Sequence, residues 1–167
     1  MRLKSGLEAA LLVVTSAMLA FMVCLMLWQV FSRYVLATPA LFTEELLRFT
    51  MIWMAFLGAA YAFGTRRHLS LVFLVEIMTG RRKMMLMMFN DLVILLFAGI
   101  IMFLGGLRAV SSTMEQFSPI LRWPIGDVYR IMPITALLIV ALQLLNMIEL
   151  YRSYRSGALD APRSEET

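Results

Sequence analysis

The stretch LEAALLVVTSAMLAFMVCLMLWQVF, from Leu7 to Phe31, decides the fold, because few polar side chains interrupt it, namely Glu8, Thr15, Ser16 and Gln29. A helix crosses a bilayer with about 20 largely apolar residues, so this stretch is long enough to span. It also exceeds the apolar core of a cleavable signal peptide, which is about 7–15 residues long. Trp28 and Tyr34 lie at its far end, where interfacial aromatic residues are expected. We interpret the stretch as a retained transmembrane helix.

Three further apolar stretches follow and predict an all-α integral membrane fold. The second opens with Thr43-Glu44-Glu45, a helix-start pattern with acidic residues in the first turn. Residues 69–79 are apolar but too short to span, and they lie between basic residues, which predicts a short interfacial amphipathic helix. We therefore predict a four-helix membrane domain at 1–155 and a polar tail at 156–167, with spans at about 7–31, 43–64, 84–107 and 128–148.

The composition excludes several classes of protein. Hydrophobic residues reach 61% and charged residues only 16%, against roughly 45–50% and 25% in soluble domains. The basic residues form no solvated face with interleaved aromatics, so we expect no nucleic-acid partner. A single cysteine, Cys24, and a single histidine, His68, exclude an intrachain disulfide, a bis-histidine haem and a thiolate cluster. We find no phosphate-binding loop and no GxSxG motif, and we expect neither an enzyme nor a cofactor.

The lysines and arginines predict the orientation of the chain. Cytoplasmic flanks of membrane spans carry an excess of these residues. The N-terminus, the segment between spans two and three and the C-terminal tail together hold ten of them, whereas the other flanks hold five, namely Arg33, Arg48, Arg108, Arg122 and Arg130. We therefore expect both termini to be cytoplasmic.

A few charges at the start of the second span are candidate functional residues, because a charge in the bilayer usually faces protein or water. Glu44 and Arg48 have the i,i+4 spacing at which opposite charges meet on a helix. Two interpretations stay open at this point. Either the pair extends to the lipid headgroups, or one of the carboxylates of Glu44 and Glu45 pairs across helices with Arg33 or with a partner subunit.

Asp91 is a second candidate, roughly 10 Å into the third span at about 1.5 Å per residue. If that span starts deeper in the headgroups, Asp91 is interfacial and lies near Arg82 or Lys83. The alternative is a cation site, which requires several converging oxygen ligands. Asn90 is the only obvious neighbour that could supply one.

The order of several short motifs resembles one family of membrane proteins over almost the whole chain. The motifs are Arg33-Tyr34-Val35, a proline, Thr43-Glu44-Glu45-Leu46-Leu47-Arg48, Trp53, Phe56-Leu57-Gly58-Ala59-Ala60, basic residues with His68, Ser118-Pro119-Ile120-Leu121 and Pro124-Ile125-Gly126. This order is similar to that of the small membrane subunit (DctQ type) of tripartite ATP-independent periplasmic (TRAP) transporters. One departure is Phe42, where the family often has tryptophan, which keeps an aromatic anchor without the indole N–H donor.

The resemblance implies a secondary transporter of three parts. In such a system a periplasmic solute-binding protein captures an organic acid, such as a sugar acid or a dicarboxylate, and a large membrane subunit (DctM type) transports it with sodium ions. The small subunit then serves as a scaffold and anchor for the large one in the bacterial inner membrane. The substrate and sodium sites are expected on the large subunit.

The residues of this chain are accordingly assigned to two roles. Those expected at a subunit contact or in a structural role are Arg33, Glu44, Glu45, Arg48, Trp53 and Gly58. Those expected at the membrane surface, in contact with lipid, are Arg66, Arg67, His68, Arg81, Arg82 and Lys83.

Two other classes of function compete with this interpretation. A homo-oligomeric small transporter or channel would need a polar stripe along one span, and the sequence shows none. A membrane enzyme would need a nucleophile with its base, or a metal-binding cluster.

The topology can be tested with introduced cysteines at positions 5 and 157, in a chain that carries Cys24→Ala. Because the basic asymmetry places both termini inside, we expect neither position to react with an impermeant maleimide added to intact cells, and both to react after lysis. Labelling of either position from outside would contradict the predicted orientation.

Overall fold

The computed structural model of this protein describes residues 2–65 and 80–155. Within them lie six α-helices and one π-helical segment, and no strand. The helices are α1 (Arg2–Tyr34), α2 (Leu41–Gly64), α3 (Gly80–Leu96), α4 (Phe103–Thr113), α5 (Ile125–Tyr129) and α6 (Ile131–Arg155), with the π-helical segment at Phe97–Met102 between α3 and α4. The expected interfacial helix at 69–79, the tail at 156–167 and the basic residues Arg66, Arg67 and His68 lie outside the described residues.

Four stretches of these helices are long and apolar enough to cross a membrane, which confirms the predicted fold class. They are Lys4–Tyr34, Leu41–Gly64, Arg82–Thr113 and Ile125–Arg152. Each is longer than the span read from the sequence, because hydropathy marks the part of a helix that lies in hydrocarbon and the helix itself continues beyond it. The third span is one continuous helical run in which the hydrogen-bond spacing changes at Phe97–Met102.

The connection between α1 and α2 is a tight turn held by Ser32. The backbone of Ala37 has a positive φ of 51°, and the chain then folds back so that the amide of Thr38 donates to the carbonyl of Ser32 at 3.1 Å. The Ser32 hydroxyl, which is buried, accepts a hydrogen bond from the amide of Ala40 at 3.3 Å. These contacts join the end of the first span to the start of the second.

The start of α2 differs from the sequence-based expectation. The helix begins at Leu41, with Ala40 in the N-cap position, and Thr43 is inside the first turn rather than ahead of it. The hydroxyl of Thr43 donates to the carbonyl of Ala40 at 2.5 Å, so it does not cap a helix amide. The threonine followed by two acids correctly predicts that a helix starts here, but the helix begins two residues before the threonine.

Burial is uneven across the four spans. In the most apolar window of Ile125–Arg152, 39% of the residues are buried, against 6% in that of Lys4–Tyr34. The core consists mainly of apolar residues of α2, the π-helical segment and α6, with Ala60, Ala98, Ile139 and Leu142 among its buried members, and α1 contributes Leu11. The first helix packs against α2, and its start is also tied to α6 by an ion pair of Lys4 with Glu149 at 2.7 Å.

A close approach between α4 and α6 depends on Gly106. A Cβ built there would lie 2.9 Å from Cδ of Pro133 and 3.0 Å from its backbone nitrogen, which is tighter than real Cβ contacts. The neighbouring Gly105 is exposed, and a Cβ there meets no described atom within 4 Å. The two glycines therefore form a matched pair on one helix.

We expect Gly106→Ala to lower the thermal unfolding temperature of the purified protein, because the added methyl group pushes α4 away from Pro133. Gly105→Ala should leave the temperature unchanged or raise it, since alanine is favoured over glycine in a helix interior by about 1 kcal/mol. Thermal unfolding in one detergent measures both variants. Equal effects of the two substitutions would show that the close contact contributes nothing.

Candidate functional site

The carboxylate of Glu45 lies at the centre of the site, one turn inside α2. Its Oε1 accepts a hydrogen bond from the amide of Ile120 at 3.1 Å, and its Oε2 accepts one from the amide of Leu121 at 2.9 Å. The hydroxyl of Ser118 also donates to Oε2. Glu45 and Ser118 are both buried. One carboxylate of the second span thus holds the loop that leads into the fourth.

That loop, residues 114–124, is further closed by its own backbone. The amide of Ser118 donates to the carbonyl of Trp123 at 2.9 Å, and the amide of Arg122 donates to the carbonyl of Ser118 at 3.1 Å. The amide of Ile125 donates to the carbonyl of Gln116 at 2.8 Å. Arg122 has a positive φ of 52°, which lets the chain reverse between these bonds. Backbone amides of the loop and of its exit thus find acceptors within the loop itself.

Trp53, two turns further along α2, holds the next segment of the same connection. Its indole Nε1 donates to the carbonyl of Val128, in α5, at 3.1 Å. Beside it is an open cleft of about 350 Å³ lined by Met18, Leu46, Phe49, Thr50, Trp53, Trp123, Asp127 and Val128. Asp127 is its only charged lining residue, and the Arg130 guanidinium pairs with that carboxylate at 3.1 Å. A largely apolar lining of this kind suits hydrocarbon and offers no cationic group to a carboxylate substrate.

A second polar contact ties α6 to the other spans near the opposite end of α2. Asp91 is buried, and its Oδ1 accepts a hydrogen bond from Nε2 of Gln143 at 2.5 Å. One turn further along α6, Nδ2 of Asn146 donates to the carbonyls of Phe63 and Gly64 at 3.4 and 3.2 Å. In the described residues Asp91 thus points to α6, and the expectation that places it beside Arg82 or Lys83 misses this partner.

The structure brings Glu44 and Arg48 together at the i,i+4 spacing and gives Glu45 a different set of partners. The Arg48 guanidinium lies 3.9 Å from Glu44, and both side chains are more than 60% exposed. Among the described residues no ion pair joins Arg33 to either glutamate. Within the described residues the carboxylate of Glu45 accepts hydrogen bonds from the loop, and a pairing of either glutamate with a partner subunit stays a prediction. Exposed pairs such as Glu44 with Arg48 contribute roughly 0–1 kcal/mol to stability.

Gly58, Arg82 and Lys83 are exposed or half-buried. A Cβ built on Gly58 meets no described atom within 4 Å, so no contact inside the described chain uses its small size. Arg82 is exposed and Lys83 is half-buried, both in the first turn of α3. These positions are compatible with the expected lipid or subunit contacts and do not test them.

Sequence reasoning missed Ser118, Gln143 and Asn146 as contact residues. A usable signal existed for Gln143 and Asn146, because each is a polar residue within an apolar span and such residues usually pair with polar groups of other spans. Asp91 in the third span was the matching partner. No comparable signal existed for Ser118, which lies in a polar loop.

The fold and the apolar cleft define a multi-pass membrane protein with no evident substrate site in its described part. The sequence matches the family described as "Tripartite ATP-independent periplasmic transporters, DctQ component" over residues 22–153. Because this match covers most of the chain, the protein belongs to that family, and the resemblance read from the motifs is confirmed.

Two curated relatives agree with this assignment. A Haemophilus influenzae protein, named provisionally as a TRAP transporter small permease protein, is 29% identical over 142 residues, which cover 85% of this chain and 88% of the relative. The sialic acid TRAP transporter small permease protein SiaQ of Vibrio cholerae is 26% identical over 131 residues, which cover 71% of this chain and 73% of the relative. The protein is therefore the small permease component of a TRAP transporter and a multi-pass protein of the inner membrane.

The hydrogen bonds of Glu45 can be tested against its exposed neighbour. Glu45→Ala removes the acceptor for two backbone amides and a hydroxyl, and buried donors without an acceptor are costly. We expect the thermal unfolding temperature to fall by roughly 5 °C or more. The matched variant Glu44→Ala removes an exposed carboxylate and should change it little. If both variants unfold at the wild-type temperature, the contacts of Glu45 do not stabilise the loop.

Proposed function

We propose that this chain serves as a scaffold and anchor for the large membrane subunit in a sodium-driven, binding-protein-dependent transporter of organic acids. The observation that carries the proposal is the exposure of α1. Within the described part of this helix only Leu11 and Ser32 are buried, and long apolar side chains such as Leu19 and Val23 are more than half exposed. A helix that packs mainly on one neighbour leaves most of its surface for another membrane protein or for lipid.

The small side chain of Gly58 on α2 also supports a protein partner. Membrane helices associate where small residues let their backbones approach closely. Gly58 on α2 has open space where a Cβ would lie, so a helix of another subunit can pack against it. We infer that the large subunit contacts the outward faces of α1 and α2.

The polar residues of α6 favour the scaffold over a homo-oligomeric channel. A channel formed by several copies would direct polar side chains of one span toward a shared pore. Gln143 and Asn146 are instead fully buried and bonded to α3 and α2. These hydrogen bonds join the spans of one chain, so the two side chains do not line a pore between copies.

The name of one relative supports a proposal for the substrate class. The name of the Vibrio cholerae relative includes sialic acid, an acidic sugar. We propose a sugar acid or another carboxylate as the transported solute, with the substrate and sodium ions bound by the large subunit. A periplasmic solute-binding protein delivers the solute, and both termini of this chain lie in the cytoplasm.

The proposal is tested by reconstitution in liposomes with a sodium gradient. We expect no uptake of carboxylates by this chain alone, and uptake when the large subunit and the binding protein of the same transporter are added. The double variant Leu19→Trp with Val23→Trp places bulk on the exposed face of α1 and should reduce recovery of the two-subunit complex severalfold.

A matched pair on α3, Leu92→Trp with Leu96→Trp, has the same i,i+4 spacing on another exposed face and should leave recovery unchanged. Uptake by the isolated chain would contradict the proposal. So would loss of the complex in the α3 double variant when the α1 double variant keeps it.

A further inference from the structure

The loop at residues 114–124 presents a group of large apolar side chains that nothing in the described protein covers. Phe117 is 61% exposed, Trp123 is 56% exposed and Ile120 is 45% exposed. An apolar patch on a soluble surface of this kind would mark a docking site for another protein. In a membrane protein the depth of the loop decides which partner it meets.

The hydrogen bonds of Glu45 fix the position of the loop along α2, from which its depth is inferred. The loop is held beside Glu45, within α2, and not beyond the helix end. From Glu45 to Gly64, the last residue of α2, the helix rises about 29 Å at about 1.5 Å per residue. This length equals the hydrocarbon thickness of a bilayer, about 30 Å. We infer that Gly64 lies at one boundary of the hydrocarbon, which puts the loop at the other.

The backbone amides of the loop have acceptors within the protein, as this position requires. Non-helical backbone at membrane depth requires that its amides and carbonyls be satisfied by protein, because no water is available there. The amides of Ile120 and Leu121 donate to Glu45, and those of Ser118 and Arg122 donate to carbonyls of the loop itself. A loop that projects into water would not need a buried carboxylate to accept its amides.

The side chains of the loop are also of types expected at a membrane interface. Trp123 is of the residue type enriched at membrane interfaces. Arg122, the charged residue between Ile120 and Pro124, is exposed, and a long arginine side chain can reach the headgroups from below. Trp28 and Tyr34 are also exposed toward the same end of the bundle, at the end of α1. The exposed Trp28, Tyr34 and Trp123 are thus all of residue types enriched at membrane interfaces.

We propose that the 114–124 loop is a lipid-inserted wedge, with Phe117, Ile120 and Trp123 in the outer part of one leaflet and Glu45 as the positioning residue that accepts its amides. The occupant of the patch is the bilayer interface and not a soluble protein.

The test uses the full-length chain with Cys24→Ala, in lipid nanodiscs that leave both membrane faces open to water. A fluorescent NBD group is attached to a single introduced cysteine, Phe117→Cys or Ile120→Cys. Glu115→Cys is the matched control, since Glu115 is a charged, exposed residue at the start of the same loop. The membrane reference is a separate sample of the unsubstituted chain labelled at Cys24, an exposed residue in the middle of α1.

We expect nitroxide-bearing lipids to quench the label at 117 and 120 severalfold more than the label at 115, and a water-soluble metal chelate to show the reverse order. Labels at 117 and 120 that are quenched by the chelate as strongly as the label at 115 would overturn the proposal. Loss of lipid quenching at 120 when the large subunit or the binding protein is added would also overturn it, because a protein would then cover the patch.

The role of Glu45 is tested on the label at 120. Glu45→Ala should shift this label toward quenching by the chelate, because amides without an acceptor favour water over lipid. Glu44→Ala should not. If Glu45→Ala cannot be purified, the comparison of 117 and 120 with 115 in the otherwise unchanged chain decides the proposal. If the quenching of the label at 120 is unchanged in a folded Glu45→Ala protein, Glu45 does not position the loop.

Discussion

A bilayer offers backbone amides no water, and this constraint shapes the one long non-helical connection that the structure describes. Helices satisfy their own amides, so the spans meet the constraint by forming. The 114–124 loop cannot satisfy all of its own amides, and two of them donate to the carboxylate of Glu45 on another span. The position of the loop, the start of α5 and the contact of Trp53 with Val128 all depend on this arrangement. A single carboxylate thus links the second span to the path of the fourth.

How much of this was visible in the sequence depends on whether a contact involves two side chains or a side chain and a backbone. The four spans were predictable because hydropathy and helix length are properties of consecutive residues. The pair of Asp91 with Gln143 was accessible in principle, since both are lone polar residues in apolar helices. The bonds of Glu45 were not, because any residue at positions 120 and 121 except proline offers the same amide. For the same reason the indole of Trp53 could not be matched to the carbonyl of Val128.

The fold divides its spans into a packed interior and a peripheral helix. The last span has the most buried residues and makes its polar contacts at two levels, with Asp91 on α3 and with the final carbonyls of α2. The first span is attached mainly through α2, the turn at Ser32 and the ion pair of Lys4 with Glu149. A bundle built this way keeps its own geometry while one side remains available. That division suits a subunit that binds its partner through its surface and uses its interior only to maintain its own fold.

The π-helical segment at Phe97–Met102 changes how the third span must be read. In an ordinary helix, residues four apart drift around the axis by about 40° per step, since 3.6 residues complete a turn. Ala98, Met102 and Gly106 are spaced by four, and all three are buried. The wider hydrogen-bond spacing of the segment under-winds the helix and keeps them on one side. A helical wheel drawn at a constant angle through residues 80–113 therefore assigns the half of the span beyond Met102 to the wrong azimuth, exchanging part of its lipid-facing and protein-facing sides.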